Sequence, residues 1–182
     1  MNLIFIMCII VAIAALISII FVLIYNKYQW VIVKLDKGET NISNYLEIKY
    51  NILIRQFEFM KTKITIDDDD FEEYKLLNTK ISLDKLNKNV NDLNTLINRY
   101  MDNNENLYQE EIIAKITEEI KTINISINSC KKYYNEHLVE YNHLCKSFPT
   151  KIIAKIFKYK EKKFIDEDAP NTLKILNQDE ES

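Results

Sequence analysis

Leu3 to Ile24 is an unbroken run of 22 residues without a charge, in which Ser18 is the one hydroxyl. As a helix it would extend roughly 33 Å, about the thickness of a hydrocarbon core, so it is expected to cross a bilayer. A cleaved signal peptide is the rival reading. It requires a basic stretch before the apolar run and a shorter apolar segment, whereas only Met1 and Asn2 precede this one. Phe5-Ile6-Met7-Cys8 approaches a lipoprotein box, but Met7 is large where a small residue is required, and Cys8 is read as one more apolar residue of the span. Lys27, Lys34 and Lys37 follow the span and no side-chain cation precedes it, which predicts a cytoplasmic body and an outer amino terminus of a residue or two. Tyr25, Tyr28 and Trp30 fall where an aromatic belt would meet the headgroups.

The remainder reads as helix. Apolar residues recur three or four apart at Ile42, Leu46, Tyr50, Leu53, Phe57, Met60 and Ile64, continuing the helix of the span. Gly38 interrupts that helix and marks close packing or a slight bend. Asp67 to Asp70 makes a polar break, with Asp70 and Glu73 spaced as a capping box for a second helix. Its stripe is Leu83, Leu86, Val90, Leu93, Ile97 and Tyr100. A third stripe runs through Ile113, Ile116, Ile120, Ile123, Ile127, Cys130, Tyr134, His137, Tyr141, Leu144 and Phe148, the period of a coiled-coil seam. Pro149 ends that helix and is expected as the first residue of a short fourth one, with Ile152, Ile153, Ile156 and Phe157 on one side.

The expected fold is all-α: an N-terminal transmembrane helix followed by an antiparallel bundle of three long helices plus a short fourth. Residues 1–25 form the anchor, 26–165 the bundle and 166–182 a polar tail expected to be disordered. The polar breaks are read as short, so the helices are expected to run up, down and up from the bilayer, with the fourth helix at the far end.

Two stretches then carry a family likeness. Tyr25-Asn26 directly follows the span, and downstream Tyr133-Tyr134-Asn135-Glu136-His137-Leu138-Val139-Glu140-Tyr141-Asn142 precedes Phe148-Pro149-Thr150-Lys151-Ile152-Ile153-Ala154-Lys155-Ile156-Phe157. The doubled Tyr-Asn followed by Phe-Pro and a short apolar helix resembles the LemA family of small membrane-anchored helical proteins. Ile42, Leu46, Lys49 and Tyr50 fall on matching positions of the same pattern. Where the family carries a basic pair and an Asp-Leu-Ile-Pro-Asn run, this chain has Ile48-Lys49-Tyr50-Asn51-Ile52-Leu53-Ile54-Arg55, without the Pro or the Asp. The resemblance implies a bacterial-type inner-membrane bundle with no established reaction. It singles out Tyr25, Asn26, Tyr134, Asn135, Tyr141, Asn142, Phe148 and Pro149 as structural or partner-contact residues.

Little in the sequence points to chemistry. One Gly and two Pro cannot supply the glycine-rich loops of P-loop, Rossmann or α/β-hydrolase sites. A net charge of −3 does not suggest a nucleic-acid binder, and none is expected as partner. Glu140 and His143 form one Glu-x-x-His, but a di-metal bundle site needs a second copy, so neither metal nor cofactor is expected. His137 is read as a core histidine, hydrogen-bonded to a tyrosine or backbone group, and His143 as exposed. Asp67 to Asp70 lacks the Gly and the distal Glu of a calcium loop. Cys130 and Cys145 are expected to be reduced, inert thiols too far apart to pair. The sequons at Asn41 and Asn124 carry no meaning on cytoplasmic helices.

Lys151, Lys155, Lys158, Lys160, Lys162 and Lys163 surround the fourth helix in a pattern suited to anionic lipid or an acidic partner. At the far end of an upright bundle they would be out of reach of the home membrane, which favours a solvated basic face.

The function expected is a non-enzymatic interaction or envelope-associated scaffold. Its partners would be the bilayer through residues 3–24 and unidentified proteins or a second copy of the chain. A bundle enzyme or sensor with a metal or small ligand between helices, and the same bundle facing outside as an adhesion module, are the alternatives.

Overall fold

The structure is a computed structural model that describes residues 3–66, 71, 74 and 81–165. The described residues contain four α-helices and no strand: α1 (Leu3–Lys61), α2 (Leu83–Asp102), α3 (Glu111–Lys146) and α4 (Thr150–Phe157), with a 3-10 turn at Glu105–Gln109 between α2 and α3. The all-α class, the long apolar first helix and the short fourth one are as expected. The Asp70–Glu73 capping box and the tail from Asp166 lie outside the described residues.

Two compact units are formed, one from the described residues of Met1–Lys37 and Tyr133–Ser182, the other from those of Gly38–Lys132. In the second unit the buried stripe of α1 is Ile42, Leu46, Lys49, Leu53, Phe57 and Met60. It steps at the period of a straight helix, so the buried position that hydrophobicity assigned to Tyr50 belongs to Lys49. Gly38 is buried within the helix. From α2 the core takes Leu86, Val90, Leu93, Leu96, Ile97 and Met101; from α3 it takes Ile113, Ile116 and Ile127.

Contacts in this unit fix chain direction. Lys63 pairs with Glu110 at 2.8 Å and Arg55 with Glu119, so α3 descends along α1. Gln56 Nε2 donates to Met101 Sδ, while Lys131 Nζ meets Asn87 Oδ1, so α2 is parallel to α1 and antiparallel to α3. The up-down-up order is therefore corrected. Between Lys61 and Leu83 lie 21 residues rather than a short break.

In the first unit α3 again runs against α1, with Lys27–Glu140 at 3.4 Å and the ring of Trp30 edge-on to His137. The buried residues are Tyr28, Val31 and Leu35 of α1, Tyr134, Asn135, Leu138, Tyr141 and Leu144 of α3, and Ile153 and Ala154 of α4. Helix α4 thus packs beside the start of the body: Phe157 meets the rings of Phe21 and Tyr25 at centroid distances of 6.3 and 5.1 Å. Its expected place at the far end is overturned, because α3 brings its C-terminus back to Tyr28.

Two further expectations change. Tyr28 is fully buried rather than part of an aromatic belt. His137 is half-buried between the edges of Trp30 and Tyr133 while Leu138 takes the core position, and Phe148 is exposed. The seam therefore misses at single positions rather than progressively, since Tyr134, Tyr141 and Leu144 on either side of His137 stay in the core.

Candidate functional site

The singled-out residues Tyr134, Asn135, Tyr141 and Asn142 come together on the C-terminal part of α3, in the first unit. The two asparagines act as clasps. Asn142 Nδ2 donates to the Lys162 carbonyl at 2.9 Å while its Oδ1 accepts from the Lys162 N–H at 3.0 Å. Asn135 repeats this with Ile165, at 2.8 and 3.1 Å.

The spacings explain why two clasps fit. Seven residues separate the asparagines on the helix and three separate their partners on the extended segment Tyr159–Ile165. Seven helical residues rise about 10.5 Å, and three extended ones cover about 10 Å. An amide side chain carries both N–H donors and a carbonyl acceptor, so it can pair with the C=O and N–H of one residue without reading that residue's side chain. Lys146–Glu161 at 3.1 Å adds an ion pair along the same segment.

The chain reaches this segment by a sharp reversal. Lys158 caps α4 in the left-handed region at φ 57°, and the Tyr159 N–H returns to the Ala154 carbonyl at 2.9 Å. Tyr159 then lies against Tyr28, with ring centroids 5.0 Å apart and planes tilted by 36°, and accepts a hydrogen bond from Gln29 Nε2 at 2.9 Å.

Tyr28 closes the end of α3. Its hydroxyl donates to the Leu144 carbonyl at 2.5 Å, and the Thr150 hydroxyl donates to the same carbonyl at 2.6 Å, satisfying an acceptor the helix end leaves open. Burial pushes the Tyr28 phenol well above its usual range and raises that of Tyr141 to about 12, with the neighbouring Cys145 adding to both. Burial also raises the Cys145 thiol, and a thiol held protonated is a poor nucleophile. His137 is driven below its ordinary value, first by burial and then by Lys34.

The remaining candidates scatter around this core. Tyr25 is half-buried against Phe157, Asn26 is exposed, and Pro149 is the N-cap of α4 rather than its first residue. Glu140 faces Lys27, and His143 Nε2 lies 3.0 Å from Ser147 Oγ, so the Glu-x-x-His residues are directed to different neighbours. Among the described residues no group of three His, Cys, Asp or Glu is placed to hold a metal ion.

Tyr28, Gln29, Tyr159 and the backbone at Lys162 and Ile165 complete the site without having been singled out. The signal for the clasps was in the spacing: a polar Asn on the buried side of a helix, repeated one heptad on, implies a partner that runs along the helix. A LemA family model matches residues 40–175, three quarters of the chain. The chain belongs to the LemA family. The match takes in the Tyr-Asn pairs of α3 and the Phe-Pro step, and begins after Tyr25-Asn26. No curated protein and no solved structure matches this LemA-family chain.

Proposed function

We propose that this LemA-family protein is a single-pass membrane protein whose helical body lies on the cytoplasmic side and serves as a non-enzymatic interaction scaffold. One observation carries the reading. The apolar residues of Leu3–Ile24 stand exposed along α1, where the core helix of a soluble protein would bury them. The helix continues without a break through Ile24 to Tyr28, Val31 and Leu35, which are buried in the first unit, so separating the leader would cut inside packed helix. Lys27, Lys34 and Lys37 on the body side support a cytoplasmic placement. The polar groups of the site hold the segment 159–165 to α3, and burial keeps the Cys145 thiol protonated, so the site is read as structural rather than catalytic.

Thiol accessibility tests sidedness. In a chain carrying Cys8→Ser and Cys145→Ser, Cys130 is expected to resist a membrane-impermeant maleimide in intact cells and to react after lysis in denaturant. Labelling in intact cells would place the body outside. Stoichiometric iron, manganese or zinc in the purified full chain would favour a metal enzyme or sensor over a scaffold.

A further inference from the structure

Helix α4 is amphipathic with its second apolar face uncovered. Ile153 and Ala154 are buried against the first unit, while Ile152 and Ile156, four residues apart on another side of the helix, are 48% and 58% exposed, and Phe148, just ahead of the helix, is 75% exposed. Phe157, 40% exposed, shares the side of Ile153 and Ala154 and faces α1.

The depth of this face follows from its neighbours. Phe21 lies three residues inside the apolar run that ends at Ile24, about 4.5 Å below its boundary. Phe157 is in ring contact with Phe21, so α4 lies at the level where the apolar run meets the headgroups. A lipid surface therefore already reaches the side of α1 against which α4 packs.

Charge points the same way. Between Thr150 and Lys163 there are six lysines, all exposed, against one carboxylate, Glu161, which is engaged by Lys146. A short apolar ridge ringed by lysines suits insertion at the boundary between acyl chains and anionic headgroups, with the long side chains reaching back to phosphate.

We infer that α4 is a second membrane contact, dipping Phe148, Ile152 and Ile156 into the leaflet on the side of the body and drawing anionic lipid around its lysines. The inference rests on the membrane-anchored reading above. The occupant is lipid rather than a protein because the apolar face is continuous with the lipid-facing side of α1 and its rim is cationic. A single anchoring helix leaves a body free to swivel, whereas two contacts with one leaflet fix its tilt.

Depth-dependent quenching tests it. Trp30, the one tryptophan, is replaced as Trp30→Phe in the full chain, and single reporters are placed at Ile156→Trp, at Ile152→Trp on the same face, at Val22→Trp in the span and at Glu136→Trp on exposed α3. Each is reconstituted in vesicles of acyl-brominated phosphatidylcholine, with and without phosphatidylglycerol. Ile156→Trp and Ile152→Trp are expected to be quenched at least about threefold more strongly than Glu136→Trp, more so with phosphatidylglycerol. Lys151→Glu with Lys155→Glu should remove that extra gain.

Quenching at Val22→Trp with none at either α4 reporter would overturn the inference while leaving the anchor intact. Loss of quenching at Val22→Trp as well would remove the anchor and the inference together. Equal quenching with and without phosphatidylglycerol would overturn the anionic preference. Unquenched but blue-shifted emission at Ile156→Trp in native membranes would mean that a protein covers the face, overturning lipid as its occupant.

Discussion

Lys49 shows what a single residue contributes that a hydrophobic pattern hides. It occupies a core position of α1 at 6% exposure, and burial, followed by Lys131, lowers the affinity of its amine for a proton. Burying the charged form costs stability, so Lys49→Met should stabilise the detergent-solubilised chain by about 1 kcal/mol at neutral pH, seen as a higher thermal midpoint. The sign with pH follows from linkage. The folded chain releases this proton at lower pH than the unfolded one, so wild type gains stability as pH climbs towards 10.5 and the gap to Lys49→Met closes. A gap independent of pH would show that packing, not charge, sets the difference. Tyr28 and Tyr141 behave oppositely. Their phenols keep their protons beyond the ordinary value of 10.0, so the stability they supply is complete below that and is lost as pH rises, through about 12 for Tyr141 and higher still for Tyr28. Tyr28→Phe, which removes the donor to Leu144, should cost about 1 kcal/mol and soften that alkaline loss, both readable in melts followed by circular dichroism. None of this was visible in composition: Lys49 and Tyr28 look like a solvated cation and a headgroup tyrosine until the helical phase is fixed by its neighbours.

At the scale of elements, the four helices were legible because residues three and four apart had to share a face, and Leu86, Val90, Leu93 and Ile97 are buried as that spacing requires. Single positions were less so. Met101 replaces Tyr100 and Leu138 replaces His137, while Tyr141 and Leu144 further along keep the places the stripe gave them. The extended segment Tyr159–Ile165 was not legible, since it is held by side-chain amides rather than by its own apolar period. Those amides are testable. Asn135→Ala or Asn142→Ala removes two hydrogen bonds of about 1 kcal/mol each and should speed amide exchange at Ile165 or Lys162 roughly tenfold or more. Asn142→Asp keeps the acceptor and loses the donor, so exchange at Lys162 should fall between wild type and Asn142→Ala. Unchanged exchange in the alanine variants would mean that Glu161–Lys146 and Tyr159 hold the segment by themselves.

For the whole molecule, the membership in the LemA family and the membrane-length first helix were both readable from the sequence, the first from Tyr-Asn and Phe-Pro, the second from an uncharged run. The direction of the helices was not. It hinged on whether the chain after Lys61 turns at once, and a polar break cannot report how much chain is used to return. That one difference moves α4 from the far end to the side of Phe21, which is where the proposed membrane contact needs its lysines to be. The account stands on the apolar leader remaining part of the working protein. Intact-mass measurement of the chain recovered from alkali-washed membranes tests this most directly: the full 21.7 kDa should be found in the membrane pellet. A shorter species beginning beyond Ile24 and released into the wash would contradict it.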